Sequence, residues 1–146
     1  MGIYFGSHTA AINELDDYEE GTWTPDWHGN NGGTTSHNFD HGTYVKIGDM
    51  VHLSMYAHQS HSGSNGPYQS FAPFANRNHN GATCFNALMT DSMDSGSSAN
   101  FWGIYFQKNS TTMYIYYVTK NQGWTYQETG HDSNFTLIGN ITYESA

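Results

Sequence analysis

The chain has 146 residues, enough for one domain with its own core, and only 12% of them are charged while 16% are aromatic and 16 are glycine. That balance excludes a disordered chain and an Ala/Leu/Glu/Lys-rich helical bundle. Four Lys plus Arg against 13 Asp plus Glu give a formal charge of −9, which argues against nucleic acid and against an anionic membrane surface, since basic side chains hold both.

In chain order, Met1 to Ile12 opens with a short apolar patch, Ile3-Tyr4-Phe5, and reads as a lead-in strand or the remnant of a shaft. Asn13 to Glu20 is acidic, and Asn13-Glu14-Leu15-Asp16-Asp17 has the form of a capped helical turn. Residues 1–20 are therefore expected to be a lead-in segment and residues 21–146 the main domain. Polar loops are expected at about 28–41 and 59–67. Between them Val51, Leu53, Met55 and Ala57 alternate with His52, Ser54, Tyr56 and His58, the pattern of a half-buried antiparallel strand. Phe101–Phe106 and Met113–Val118 are apolar on both faces, as in strands covered on two sides, where the second cover could be another subunit. Phe135, Leu137, Gly139, Ile141 and Tyr143 alternate with Thr136, Ile138, Asn140 and Thr142. Turn-forming clusters at 30–33, 62–67, 80–81, 94–98, 108–110 and 121–123 separate these runs. About eight to ten short strands result, spaced as in an antiparallel β-sandwich of jelly-roll type. The surplus of apolar surface predicts a homotrimer.

Chemistry-bearing constellations are sparse. Cys84 stands alone, so no intramolecular disulfide forms and the thiol reads as a small buried hydrophobe. No apolar run is long enough for a membrane-spanning helix, and the N-terminus lacks the layout of a signal peptide. Among the nine histidines, His52 and His58 share a strand face but lie roughly 20 Å apart, too far for one ion. His58 with His61, and His37 with His41, are expected in or beside loops, without zinc-like spacing. One His from each of three chains, meeting on a symmetry axis, is the remaining route to a cation. Asp16-Asp17 and Glu19-Glu20 are neighbours that point apart on extended chain, whereas a glycosidase needs two facing carboxyls. Asp91, Asp94, Glu128 and Asp132 are the other candidate carboxylates, and no nucleophile elbow or phosphate loop occurs. The chain is expected to be no enzyme and to hold no metal or cofactor. Trp102, Tyr114 and Tyr116, and Trp124 with Tyr126, could stack on sugar rings or pack in a core or subunit interface.

The run Leu15-Asp16-Asp17-Tyr18-Glu19-Glu20-Gly21-Thr22-Trp23-Thr24-Pro25 resembles the segment that begins the distal domain of tail-fibre and virion structural proteins of tailed phages. Gly42-Thr43-Tyr44-Val45-Lys46-Ile47-Gly48-Asp49-Met50-Val51 is similar to that family's Tyr-x-Lys-Ile-Gly-x-x-Val stretch. Phe71-Ala72-Pro73-Phe74 and Ile138 to Glu144 follow in the family's order, and Gly2-Ile3-Tyr4-Phe5-Gly6 is similar to what precedes its motif. The resemblance implies a trimeric β-sandwich on a phage particle, made in the host cytoplasm, and implies no catalytic residue. Relatives carry a long shaft before the motif, whereas this sequence starts almost at it.

The expected function is recognition of a host-surface glycan or protein through loops at the end of the trimer. Expected partners are the chain's own copies, other virion proteins and that receptor, with no nucleic acid and no membrane insertion. Candidate receptor contacts are His58, His61, Tyr68, Trp124 and Tyr126. The alternatives are a structural virion component, such as a capsid decoration or head-fibre protein, and a glycan-degrading tailspike domain.

Overall fold

The computed structural model describes residues 3–4, 14–15, 17–30, 34–62, 67–77, 83–90, 99–119, 122–126 and 134–146. Twelve strands lie among them: β1 Ile3–Tyr4, β2 Glu14–Leu15, β3 Tyr18–Trp23, β4 His28–Gly29, β5 Thr34–Ile47, β6 Met50–Ser62, β7 Tyr68–Phe71, β8 Thr83–Thr90, β9 Ala99–Phe106, β10 Thr112–Thr119, β11 Gln122–Tyr126 and β12 Asn134–Glu144. Every pairing is antiparallel and the described residues contain no helix, so the all-β expectation holds and the architecture is consistent with a sandwich.

β1 and β2 form a separate ribbon, and the other strands follow the order β3-β5-β6-β12-β8-β9-β10-β7-β4, with β11 also on β10. β8 is the corner. Its Ala87–Thr90 half pairs with β12, while its Thr83–Asn86 half pairs with β9. The chain thereby makes two layers whose inner faces meet, with Phe106 of one 4.5 Å from Tyr143 of the other, ring edge to face. Val51, Leu53, Met55, Ala57, Leu137, Ile141 and Tyr143 fill the core from the first layer. Trp27, Tyr68, Ile104, Phe106, Met113 and Ile115 fill it from the second. Burial of these side chains is the main force holding the layers together, at roughly 1.5–3 kcal/mol for each large aliphatic or aromatic group.

The period-two alternation of β6 and β12 is as the sequence predicts. Other expectations are corrected. Residues 14–15 form a strand paired with Ile3 and Tyr4, so the capped helical turn is absent there. The ladder begins at Tyr18, inside the segment read as a lead-in. Residues 34–41 and 59–62, expected as loops, are the far half of a long β5–β6 hairpin. Its tight turn puts Gly48 at φ 56°, the first central position where a two-residue hairpin turn of this kind takes glycine. In the described parts of β9 and β10 the chain covers one face, with Ile104, Phe106, Met113 and Ile115 buried, while Tyr105, Tyr114 and Tyr116 on the opposite face are half-buried. The expected turn at 108–110 is present, with Asn109 at φ 52°. Those at 31–33, 63–66, 80–81 and 94–98, and the carboxylates Asp91, Asp94, Glu128 and Asp132, lie outside the described residues.

The two motifs that carry the resemblance pair with each other. Gly21 stands opposite Tyr44 and Trp23 opposite Gly42. Each ring lies over the facing glycine: a Cβ on Gly42 would come 2.6 Å from Trp23 Cε2, and one on Gly21 2.8 Å from Tyr44 Cζ. An aromatic ring laid on a cross-strand glycine covers backbone that would otherwise face water. The phenol of Tyr44 also donates to Glu19 Oε1 at 2.7 Å, and its ring stands edge-on to Phe74 at 5.1 Å.

At the hairpin-tip end the closure is made by main chain. Ser145 N donates to Asp49 O at 2.7 Å, Arg77 N to Glu144 O at 2.8 Å and Ala146 N to Ala75 O at 3.0 Å. The Arg77 guanidinium bridges Asp49 and Glu144, and the Tyr143 hydroxyl donates to Phe74 O at 2.9 Å.

Candidate functional site

At the opposite end of β6 the inner rows of the hairpin turn polar. A bulge in β5 sets this up: Phe39 pairs with His58 but His37 pairs with Gln59, leaving Asn38 as an extra residue. Without it, His37 and Asp40, three apart, would face opposite sides of the strand; a bulge reverses that parity and re-aims a side chain. His37 consequently joins Asp40 and Gln59 on the inner row, and its Nδ1 pairs with Asp40 Oδ2. The Asp40 side chain is only 3% exposed. A buried carboxylate demands a hydrogen-bonded or charged partner, and the His37 ring supplies one.

The connection from β3 to β4 crosses over this row and is fastened by Gln59, which is fully buried. Trp27 N donates to Gln59 Oε1 at 3.1 Å, and Gln59 Nε2 donates to Pro25 O at 2.9 Å. The same crossing brings Asp26 between two imidazoles, its Oδ1 3.5 Å from His37 Nε2 and 3.7 Å from His28 Nδ1. Carboxylates and imidazoles thus alternate from buried Asp40 to surface His28. The two carboxylates flank the His37 ring. Among the described residues no three His, Cys, Asp or Glu side chains come together to hold a metal ion.

His28 connects this mouth to the outer face of the second layer. It stands opposite Gln69 on β7, with their Nε2 atoms 3.4 Å apart, and its ring lies 5.8 Å from that of Phe71. Gln69 is in turn opposite Tyr114 on β10, and Tyr114 is opposite Tyr105 on β9. Directly opposite residues of an antiparallel ladder share a face, so Tyr105, Tyr114, Gln69 and His28 form one row across four strands. The rings of Tyr105 and Tyr114 are 6.3 Å apart and tilted by 32°, while Tyr116 lies 5.2 Å from Tyr105 at 60°. The Tyr114 hydroxyl donates to Gln107 Oε1 at 3.4 Å. The result is a strip that is aromatic at one end and carboxylate–imidazole at the other, with amides between.

The residues predicted as receptor contacts do not gather here as a set. His58 lies on the outer face of the other layer, where its Nδ1 pairs with Thr136 Oγ1 at 2.8 Å, just as His52 pairs with Thr142. His61 is on β6 opposite Thr35, and its side chain lies outside the described residues. Tyr68 is fully buried in the core beneath β7, so its ring is closed to a surface partner. Trp124 and Tyr126 are at ladder positions opposite Val118 and Tyr116, on the strand that extends the tyrosine-bearing sheet, with their side chains outside the described residues. No protein family, curated protein or solved structure matches the chain. The site therefore rests on its own geometry. Asp26, His28, Asp40 and Gln69 carry no signal in the sequence, and His37 stands out there only beside His41, because the bulge and the crossing that join these residues leave no spacing signature.

Proposed function

We propose that the chain is the distal, receptor-binding domain of a phage fibre, a homotrimeric jelly-roll-like sandwich on the virion surface that recognises a host-surface glycan. The observation that carries this reading is the Tyr105–Tyr114–Gln69–His28 row ending at Asp26. Ring faces bind the apolar side of a sugar, while amide, imidazole and carboxylate groups exchange hydrogen bonds with its hydroxyls. The Leu15–Pro25 and Gly42–Val51 motifs support the origin. Labelled protein is expected to bind envelopes from a susceptible bacterium, and the Tyr105→Ala/Tyr114→Ala double variant to lose that binding while keeping the wild-type unfolding temperature within a few degrees. Undiminished binding by the double variant would remove the strip from recognition.

A second reading, a structural virion component such as a capsid decoration, draws on a different surface. Phe39, 59% exposed, stands edge-on to Tyr56 at 5.4 Å on the outer face of β5 and β6, and Ile138 is opposite Tyr56 on β12. Three neighbouring exposed apolar side chains suit a subunit contact. Tight binding to assembled capsids, with no binding to envelopes, would favour it.

A further inference from the structure

We infer that the strip selects an uncharged glycan chain lying across the strands, and excludes acidic ones; this rests on the receptor-binding reading above. The length argues for a chain and not for a single sugar. Four adjacent strands at about 4.8 Å spacing carry the row over about 14 Å, the length of about three pyranose rings. At the tyrosine end, the rings of Tyr105 and Tyr114 lie 6.3 Å apart on the half-buried face, tilted by 32°, with Tyr116 5.2 Å from Tyr105. Aromatic faces carry negative charge density and attract the polarised C–H groups of a pyranose, whatever the sugar's identity. At the other end Asp26, half-exposed at 50%, offers a carboxylate to which neighbouring hydroxyls can donate charge-assisted hydrogen bonds. Gln69 and His28, between these ends, can both donate and accept.

The selectivity follows from charge. Asp26 stands at the end of the strip with Asp40 behind it across the His37 ring, and among the described residues neither Lys nor Arg pairs with these two carboxylates. The chain as a whole carries −9. A uronate, sialate or phosphate laid on this strip would meet a like charge, which is penalised at close range, and among the described residues the ion-pair partners of Asp26 and Asp40 are imidazoles and not Lys or Arg. A second copy of this chain fits less well, because the centres of subunit interfaces are depleted of charged groups and this row runs into a carboxylate.

The test uses the intact protein and the envelope polysaccharide of a bacterium it binds, separated on an anion exchanger into neutral and acidic fractions. The neutral fraction is expected to compete for envelope binding, periodate oxidation of its diols to abolish that competition, and the acidic fraction to be weaker by about tenfold or more. Asp26→Asn is expected to weaken the neutral fraction and to strengthen the acidic one, because it removes a hydrogen-bond acceptor and a repulsive charge together. His52→Ala, on the far face, should change neither. Competition by the acidic fraction alone, or an Asp26→Asn variant with unchanged preference, overturns the inference but leaves the receptor reading intact, provided the Tyr105→Ala/Tyr114→Ala variant still loses envelope binding. Retained envelope binding by that double variant overturns both. Concentration-dependent self-association that protects the tyrosines would assign the face to a second copy and likewise overturn the inference.

Discussion

Met50 and Gln59 on β6 lie about 30 Å apart, at the rise of an extended strand, and the molecule is closed by different means beside each. At Met50 the closure runs through backbone groups of Asp49, Ala75, Arg77, Glu144, Ser145 and Ala146, with one ion-pair bridge laid over them. At Gln59 the joining is done by side chains, and one amide holds both backbone groups of the β3–β4 crossing that it reaches. A backbone stitch places little demand on residue type. A side-chain stitch leaves an end whose chemistry is set by residue identity, and this is where carboxylates and imidazoles collect. The contrast separates an end closed by backbone from an end closed by side chains, where the proposed recognition strip begins.

The largest effect is expected from Gln59→Leu. The substitution leaves Trp27 N–H and Pro25 C=O buried without their partner, at about 1–3 kcal/mol for each stranded group, and chemical unfolding should show a loss of about 2–4 kcal/mol. Loss of envelope binding at denaturant-free conditions should accompany it, because the crossing carries Asp26 and His28. A change below about 0.5 kcal/mol would mean that main chain or water closes the mouth as well.

Tyr143→Phe probes the other end. It removes one hydrogen bond to Phe74 O and should lower stability by about 0.5–1.5 kcal/mol at neutral pH, with binding unaffected. Its pH dependence is more telling. Burial holds the Tyr143 phenol far above its ordinary value, outweighing the opposing bond to Phe74 O. Above about pH 10 the unfolded chain releases a proton that the folded chain keeps, so the stabilisation is complete below that pH and is lost as pH rises further. The wild type should therefore lose stability steeply on the alkaline side, and Tyr143→Phe should be flatter. Parallel curves would place the phenol in water.

The smallest effect belongs to Arg77→Ala. The guanidinium and both its partners are more than a third exposed, so screening by solvent limits the cost to about 0.2–1 kcal/mol, and added salt should reduce it. A larger loss would show that the bridge, and not the backbone beneath it, closes that end.

The sequence shows a strand most clearly where one face is simply apolar. Val51 to Ala57 and Leu137 to Tyr143 declare their inner rows by alternation, and the structure has them so. The same strand β6 becomes illegible at Gln59, because its inner row there is a buried amide opposite an imidazole, and polar residues at the hairpin's far half read as loop. Tyrosine misleads in the other direction: counted as apolar, Tyr105, Tyr114 and Tyr116 make β9 and β10 look covered on both sides, when they instead give the second layer its half-buried aromatic face. The Gly48-Asp49 turn was present as a dipeptide but lay inside a motif read as one continuous run. The candidate site was least visible, since it depends on a bulge at Asn38 and on a crossing that carries residues 26 and 28 over residues 37 and 59.

The exchange of rings and glycines between β3 and β5 bears on how such a domain can be inherited or engineered. Trp23 needs the bare backbone of Gly42, and Tyr44 needs that of Gly21. The two halves of this lock are encoded on either side of the stretch that supplies Asp26, His28 and His37. A graft of what lies between Pro25 and His41 must therefore keep both borders together with Gln59, and a junction placed inside either border would separate a ring from its seat.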